Sequence, residues 1–213
     1  MAQGRSGLLP RGRSSLPADD VRAAQRERLI RAMVSAVAER GYAEVTVADV
    51  VAAARVSRTS FYAQFADKEA CFFAATAEGR RLMFARISAA VDAQPDGVDD
   101  LTLLRAGLRA YLAFLRDEPA FAAVFYLELP SVGRAGADRL ADARRKLAAR
   151  TAAWHTRARR RHPDWPAASD EVYRALTGAT EELVRERVRA GETSALSSLE
   201  DVIVDLHLRL LTA

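Results

Sequence analysis

The chain has 213 residues, 50% of them hydrophobic, and carries a formal net charge of +4. Because Gly (11) and Pro (7) are scarce, the composition favours a mostly helical protein over a sandwich or barrel. The single cysteine, Cys71, excludes an intramolecular disulfide and a thiolate metal cluster. No apolar run reaches the ~18 residues of a membrane span, and no hydrophobic leader precedes a cleavage site. We therefore expect a cytoplasmic protein without a membrane partner.

Residues 1–18 mix Gly, Ser, Pro and Arg without periodicity, which predicts a disordered basic arm. Arg5, Arg11 and Arg13 have no acidic neighbours there, and such an arm can lie along phosphates or in a DNA minor groove. We favour the simpler interpretation, a solvated tail with no role.

The first amphipathic segment predicts a helix that is capped by Asp19 or Asp20, runs to about Arg40 and ends at Gly41. Its apolar residues are spaced three and four apart, so they form one inner face that supports the elements after it. These residues are Leu29, Ile30, Met33, Val34 and Val37.

Two helix starts then follow in quick succession. Thr46 and Asp49 have the spacing of a capping box and open a short helix. Ser57 is a second N-cap, so the short helix ends near Arg55 and another begins at once. Two helices joined by so tight a turn must cross. This predicts a helix-turn-helix, the unit whose second helix enters the DNA major groove.

The second of these helices, roughly Ser57 to Phe65, has an apolar and a polar face. Phe61 and Phe65 are four apart and point inward, which leaves small and polar residues outside. Small residues let a helix approach base edges, and Arg and Gln can make bidentate base contacts. An ordinary surface helix is the alternative, but the doubled caps, the tight turn and Lys68 favour DNA. The candidate DNA contacts on this helix are Arg58, Thr59, Ser60, Tyr62, Ala63 and Gln64.

The segment Thr46 to Lys68, preceded by a helix that ends in Gly41-Tyr42, closely resembles the DNA-binding domain of the TetR family of transcriptional regulators. The resemblance covers about residues 21–75 and departs at Arg55, where the family usually has a glycine that relaxes a positive φ. It implies a homodimer that binds a palindromic operator in double-stranded DNA, more readily as a repressor than as an activator. Thr46, Tyr62 and Lys68 are then candidate phosphate contacts. Lys68 follows the predicted N-cap Asp67, and a helix N-terminus favours an anion.

From Asp67 onward the pattern is almost entirely helical, with breaks at Pro, Gly and acidic capping residues. We predict an all-α fold of about nine helices, with a DNA-binding domain at 19–66 and a helical ligand-binding and dimerisation domain at 67–213. The six predicted helices of the second domain span 67–91, 99–118, a short segment before Pro130, 134–161, 168–190 and 196–211.

The resemblance also implies a small-molecule effector bound within the second domain and a dimer interface on the last two helices. Each set of candidates has a simpler alternative, since the same residues can form the core of one subunit. The pocket candidates are Phe84, Tyr111, Phe114, Phe125, Tyr126, Glu128, Trp154 and Tyr173. The interface candidates are Val172, Leu176, Gly178, Ala179, Leu183, Leu199, Val202, Ile203, Leu206 and Leu210.

The sequence contains no recognisable catalytic or metal-binding constellation. His155, His162 and His207 are the only histidines, and no pair of them has the spacing of metal ligands on one helix. We therefore expect no catalytic residues, no metal and no cofactor. A constitutive DNA-binding protein without a small-molecule effector is the first alternative, and an enzyme that uses a pocket of the helical domain is the second.

Overall fold

The structure, a computed structural model, describes residues 17–212, so most of the predicted N-terminal arm lies outside the described residues. Within this range the protein is all-α, as predicted, with nine α-helices and no strand. None of these helices is long and apolar enough to cross a membrane. The helices are α1 (Ala18–Arg40), α2 (Val47–Ala54), α3 (Arg58–Tyr62), α4 (Lys68–Asp92), α5 (Asp100–Asp117), α6 (Pro119–Ala123), α7 (Gly133–Ala158), α8 (Asp170–Arg189) and α9 (Glu200–Leu211).

Side-chain caps fix the starts of α2, α4 and α5. Thr46 and Asp49 form the predicted capping box at α2, and the Asp67 carboxylate accepts from the Ala70 amide at 2.7 Å. Asp99 caps α5 in the same way. The cap predicted for α1 is wrong: this helix begins after Pro17 with no side-chain cap, and Asp19 instead pairs with Arg22.

Three predicted helices differ in extent from the observed ones. The recognition helix α3 ends at Tyr62, because the Gln64 and Phe65 amides both bond to the Phe61 carbonyl in a closing turn. The sixth helix changes after α6 into a π-helical turn, Val124–Glu128, followed by a 3₁₀ turn, Leu129–Ser131. The ninth begins as a 3₁₀ segment, Thr193–Leu199, before α9.

One continuous core joins the predicted DNA-binding domain to the elements after it. Leu29, Met33 and Val37 of α1 are buried in the same cluster as residues of α4, α5 and α6. A second, smaller cluster lies among α5, α7, α8 and α9 and contains Trp154 and Tyr173. The boundary at residue 66 stays a prediction. Because α1 packs against both α4 and α6, a movement of either helix acts on the support of the recognition helix.

Candidate nucleic-acid interface and internal cavity

The recognition helix α3 is fixed from beneath by two phenylalanines. Phe61 is fully buried, Phe65 is nearly so, and their ring centroids are 5.6 Å apart. The Arg26 guanidinium of α1 lies 4.6 Å from the Phe65 ring centroid, a cation–π contact. At the start of the helix, the Ser57 hydroxyl accepts from the Ser60 amide at 3.0 Å. These contacts set the rotation of α3 about its axis and hence the side chains that face outward.

The turn between α2 and α3 closes with Arg55 in the left-handed conformation, φ 52° and ψ 48°. The Arg55 amide donates to the Ala52 and Val51 carbonyls, and the Val56 amide donates to the Val51 carbonyl at 3.1 Å. An L-residue costs roughly 1–2 kcal/mol in this conformation. The arginine therefore adopts the backbone that the family's glycine would adopt with less strain.

The outward face of α3 consists largely of the side chains predicted to meet DNA. Arg58, Thr59, Tyr62 and Ala63 are exposed, whereas Ser60 and Gln64 are half-buried. The Tyr62 side chain is 47% exposed, unusually open for an aromatic ring, and the Arg58 guanidinium lies 5.7 Å from its centroid. An arginine and a tyrosine side by side on an open helix face can contact both a base edge and a phosphate.

Thr46 and Lys68, the other two predicted phosphate contacts, already have partners within the chain. The Thr46 hydroxyl donates to the Asp49 carboxylate at 2.6 Å, and hydrogen bonds from Thr46 and Arg40 lower the pKa of Asp49 to about 2. The Lys68 ammonium donates to the Tyr42 carbonyl at 2.9 Å and lies 4.3 Å from the Tyr42 ring centroid. An ammonium has three donors, so two remain for a phosphate.

A cavity of about 350 Å³ lies among α4, α5, α7, α8 and α9. Of the eight residues predicted to line a ligand pocket, Tyr111 and Trp154 line this cavity. The other six predicted lining residues lie elsewhere. Phe114 and Phe125 pack on Phe121, Tyr126 bonds to Tyr111, Tyr173 bonds to His155, Glu128 bonds to Tyr42, and Phe84 packs against the main core.

The cavity walls are mostly apolar, with polar groups at two places. Arg157, Asp92 and Ala153 are exposed and mark the opening to solvent. The buried Glu181 accepts from Arg144 at 2.5 Å, and burial raises the pKa of its carboxyl group. His207 bonds to the Ile203 carbonyl at 2.7 Å, and burial lowers its pKa. Neither Glu181 nor His207 is among the pocket residues predicted from the sequence, because each gives only one signal there, a polar side chain on the otherwise apolar face of a helix.

The ten predicted interface residues divide by exposure. Leu176, Leu199 and Ile203 are buried within the chain, whereas Val172, Leu183 and Leu206 are half-buried. Gly178 and Ala179 are exposed on α8, and Val202 and Leu210 are each 47% exposed on α9. A Cβ atom added at Gly178 would meet nothing within 4 Å. Packing within this chain therefore does not require a glycine at position 178.

Two capped helices joined by a tight turn, with a buried inner face and an open polar outer face, define a helix-turn-helix DNA-binding protein. The family model described as bacterial regulatory proteins of the tetR family matches residues 29–75, which include all of α2 and α3. The chain therefore carries a DNA-binding domain that matches the tetR family of bacterial regulatory proteins.

Solved structures of bacterial regulatory proteins share the fold over most of the chain. FadR from Bacillus halodurans, a fatty acid degradation regulator, has a TM-score of 0.77 and 18% identity, with 86% of this chain and 94% of that chain covered. FadR from Bacillus subtilis in complex with stearoyl-CoA has a TM-score of 0.75 and 18% identity, covering 85% and 96%. A tetR-family regulatory protein from Rhodococcus RHA1 has a TM-score of 0.69 and 22% identity, covering 89% and 97%. A search of curated protein sequences finds no match.

Proposed function

We propose that the protein is a ligand-responsive repressor that binds a palindromic operator as a homodimer. The observation that carries this proposal is the outer face of α3. Exposed Arg58, Thr59, Tyr62 and Ala63 project from a helix whose rotation is fixed by buried Phe61 and by the Ser57 cap. Such a face fits the major groove, where arginine can bind a guanine edge with two hydrogen bonds.

Dimerisation is supported by the apolar residues that α8 and α9 leave exposed. Gly178 and Ala179 provide a small-residue surface on α8, and Val202 and Leu210 lie open on α9. Small residues let two helices approach closely, and large apolar side chains on a surface are typical of an interface. With two copies related by a two-fold axis, the two recognition helices would contact half-sites about one DNA turn apart, roughly 34–36 Å.

The cavity supports an effector with an apolar body and an anionic group. Its volume of about 350 Å³ falls in the usual range for ligand pockets, and Arg150 and Arg157 line it beside Asp92. The fold is shared with a FadR that was solved with stearoyl-CoA, a molecule with both features. We therefore propose an acyl-CoA or a related amphipathic acid as the effector class. Occupancy of the cavity would favour a dimer arrangement that binds the operator less tightly.

The DNA contacts are tested by Arg58→Ala on an operator selected from random DNA. Loss of one phosphate or base contact should weaken specific binding about 5- to 100-fold, corresponding to roughly 1–3 kcal/mol. Arg160→Ala is the matched control, because this arginine is exposed near the end of α7, away from α3. Fluorescence anisotropy across a salt series measures both variants. Equal affinity of Arg58→Ala and the wild type would remove α3 from the proposed interface.

The effector is tested by mobility shift on the same operator with stearoyl-CoA and shorter acyl-CoA compounds. We expect at least one of them to release the wild-type protein and to raise its melting temperature. Leu104→Trp places a larger side chain in the cavity wall and should abolish both effects while operator binding persists. Full operator binding with every compound would support a constitutive DNA-binding protein instead.

A further inference from the structure

Two hydrogen bonds, joined by the π-helical turn, lie between the cavity and the turn before α2. Tyr111 lines the cavity, and its hydroxyl lies 2.5 Å from the Tyr126 hydroxyl, with both side chains buried. Tyr126 belongs to the π-helical turn, and Glu128 ends that turn. The Glu128 carboxylate accepts from the Tyr42 amide at 2.8 Å, a contact between residues 86 positions apart.

Tyr42 in turn fixes the start of the helix-turn-helix. Its carbonyl accepts from Lys68, the first residue of α4, and its ring packs 4.7 Å from Phe72 between centroids. Gly41 beside it has a φ of 83°, and the Glu128 carboxylate lies 3.6 Å from the place a Gly41 Cβ would occupy. The turn between α1 and α2 is therefore held on one side by α4 and on the other by Glu128.

The π-helical turn is the element that joins these two ends. The Leu129 amide donates to the Val124 carbonyl, five residues earlier, instead of the four of an α-helix. π-helical turns of this kind are frequent at functional sites. On its other side Phe125 stacks on Phe121 with 5.4 Å between centroids, and Phe121 packs directly over Gly79 of α4. Because Phe125 is held against α4 through Phe121, a shift of Tyr126 would move Glu128, at the end of the same turn, relative to α4.

We propose that Glu128 is a positioning residue through which the cavity acts on the helix-turn-helix, with the Tyr111–Tyr126 pair and the π-helical turn as the connection. This inference rests on the proposed function, since it describes how a ligand in the same cavity would change DNA binding. A ligand that displaces Tyr111 must stretch or break its bond with Tyr126, and the π-helical turn transmits that change to the Tyr42 amide. Glu128, one of the residues predicted to line the ligand pocket, instead contacts the Tyr42 amide beside the helix-turn-helix.

Hydrogen exchange on the full-length protein without ligand or DNA tests the connection. Glu128→Ala should raise exchange at residues 41–46 about three- to ten-fold, the effect of one lost hydrogen bond, whereas Glu128→Gln keeps an acceptor and should stay near the wild type. Tyr126→Phe and Tyr111→Phe should raise exchange in the same segment from a distance. Tyr173→Phe is the matched control: it also removes a buried hydroxyl, bonded to His155, but lies outside the connection and should leave the segment unchanged.

The outcomes separate this inference from the proposed function. Wild-type exchange at 41–46 in both tyrosine variants, with native circular dichroism, would overturn the connection whether or not any ligand is found. If an acyl-CoA releases the wild type from its operator, Tyr126→Phe should still bind that compound. The concentration needed for half-maximal release of DNA should be at least about three-fold higher for this variant. Equal release of DNA by Tyr126→Phe and the wild type would also overturn the proposal. If no compound releases the wild type, the proposed effector class is wrong, and the hydrogen-exchange result alone decides whether the connection exists.

Discussion

At the scale of single residues, Arg55 shows that the helix-turn-helix backbone tolerates the loss of its usual glycine. The turn has the left-handed conformation that a glycine would adopt, and the arginine is exposed at the edge of the α3 surface. Among the described residues its side chain has no ion-pair partner. Arg55 thus strains the backbone of the turn but places a positive charge close to the proposed DNA contacts.

Arg55→Gly should therefore separate stability from DNA binding. Relief of the left-handed backbone is partly offset by the larger entropy that glycine loses on folding, so we expect stability to rise by up to about 1 kcal/mol. Operator affinity should fall, with the salt slope reduced by about one unit. Urea unfolding and anisotropy titrations measure the two effects. A less stable variant with undiminished DNA affinity would show that neither the strain nor the charge matters.

The caps of α2, α3 and α4 were predictable from sequence and the contact of Glu128 was not, for a physical reason. A capping box is local: Thr46 and Asp49 are three residues apart, so their spacing alone determines the contact. The bond from Tyr42 to Glu128 joins residues 86 apart and depends on how α6 and the π-helical turn pack against α1. Glu128 stands among apolar neighbours in the sequence, but the identity of its hydrogen-bond partner depends on the fold.

At the scale of helices, two glycines have opposite roles. A Cβ atom at Gly79 would lie 2.2 Å from the Phe121 ring, so this glycine allows α6 to pack on α4. At Gly178 of α8 an added Cβ would meet nothing within 4 Å. In the sequence both residues look alike, as glycines within helices. Only the packing of a neighbouring helix shows that position 79 requires a glycine and that position 178 lies on an open surface.

Gly79→Ala and Gly178→Ala form a matched pair of substitutions. Gly79→Ala should lower stability by about 1–3 kcal/mol because Phe121 must move, even though alanine favours the helix. Gly178→Ala should not destabilise a single chain but should weaken the dimer if α8 approaches its copy closely there. Urea unfolding and analytical ultracentrifugation measure the two properties. Equal stability of both variants would contradict the packing of Phe121 on Gly79.

At the scale of the whole molecule, the architecture was more predictable than the position of its cavity. The nine α-helices of residues 17–212 follow from periodicity, caps and prolines, which are local signals. The cavity depends on how five helices diverge, and its walls include small and polar residues such as Gly107 and Thr180 that a search for aromatic side chains passes over. On α7, Arg144 forms an ion pair with Glu181 of α8, and Lys146 forms one with Asp142 of the same helix.

The buried His207 should make stability depend on pH. Burial lowers its folded pKa below the usual value near 6.5, so the unfolded chain takes up the proton more readily. The stability that neutral His207 provides is complete above about pH 6.5 and is lost as the pH falls through that value toward the folded pKa. His207→Asn should reduce the drop in urea midpoint between pH 7.5 and pH 5.5. An unchanged drop would assign the pH dependence to other groups.

The most direct measurement is selection of random duplex DNA by the full-length protein, followed by footprinting and stoichiometry of the enriched site. A dimer that presents two copies of α3 predicts an inverted repeat, two chains per duplex, and protected half-sites whose centres lie about 10–10.5 base pairs apart. Enrichment of a non-repeated sequence bound by one chain, or no enrichment above weak, salt-sensitive binding, would contradict a homodimer that recognises a palindromic operator.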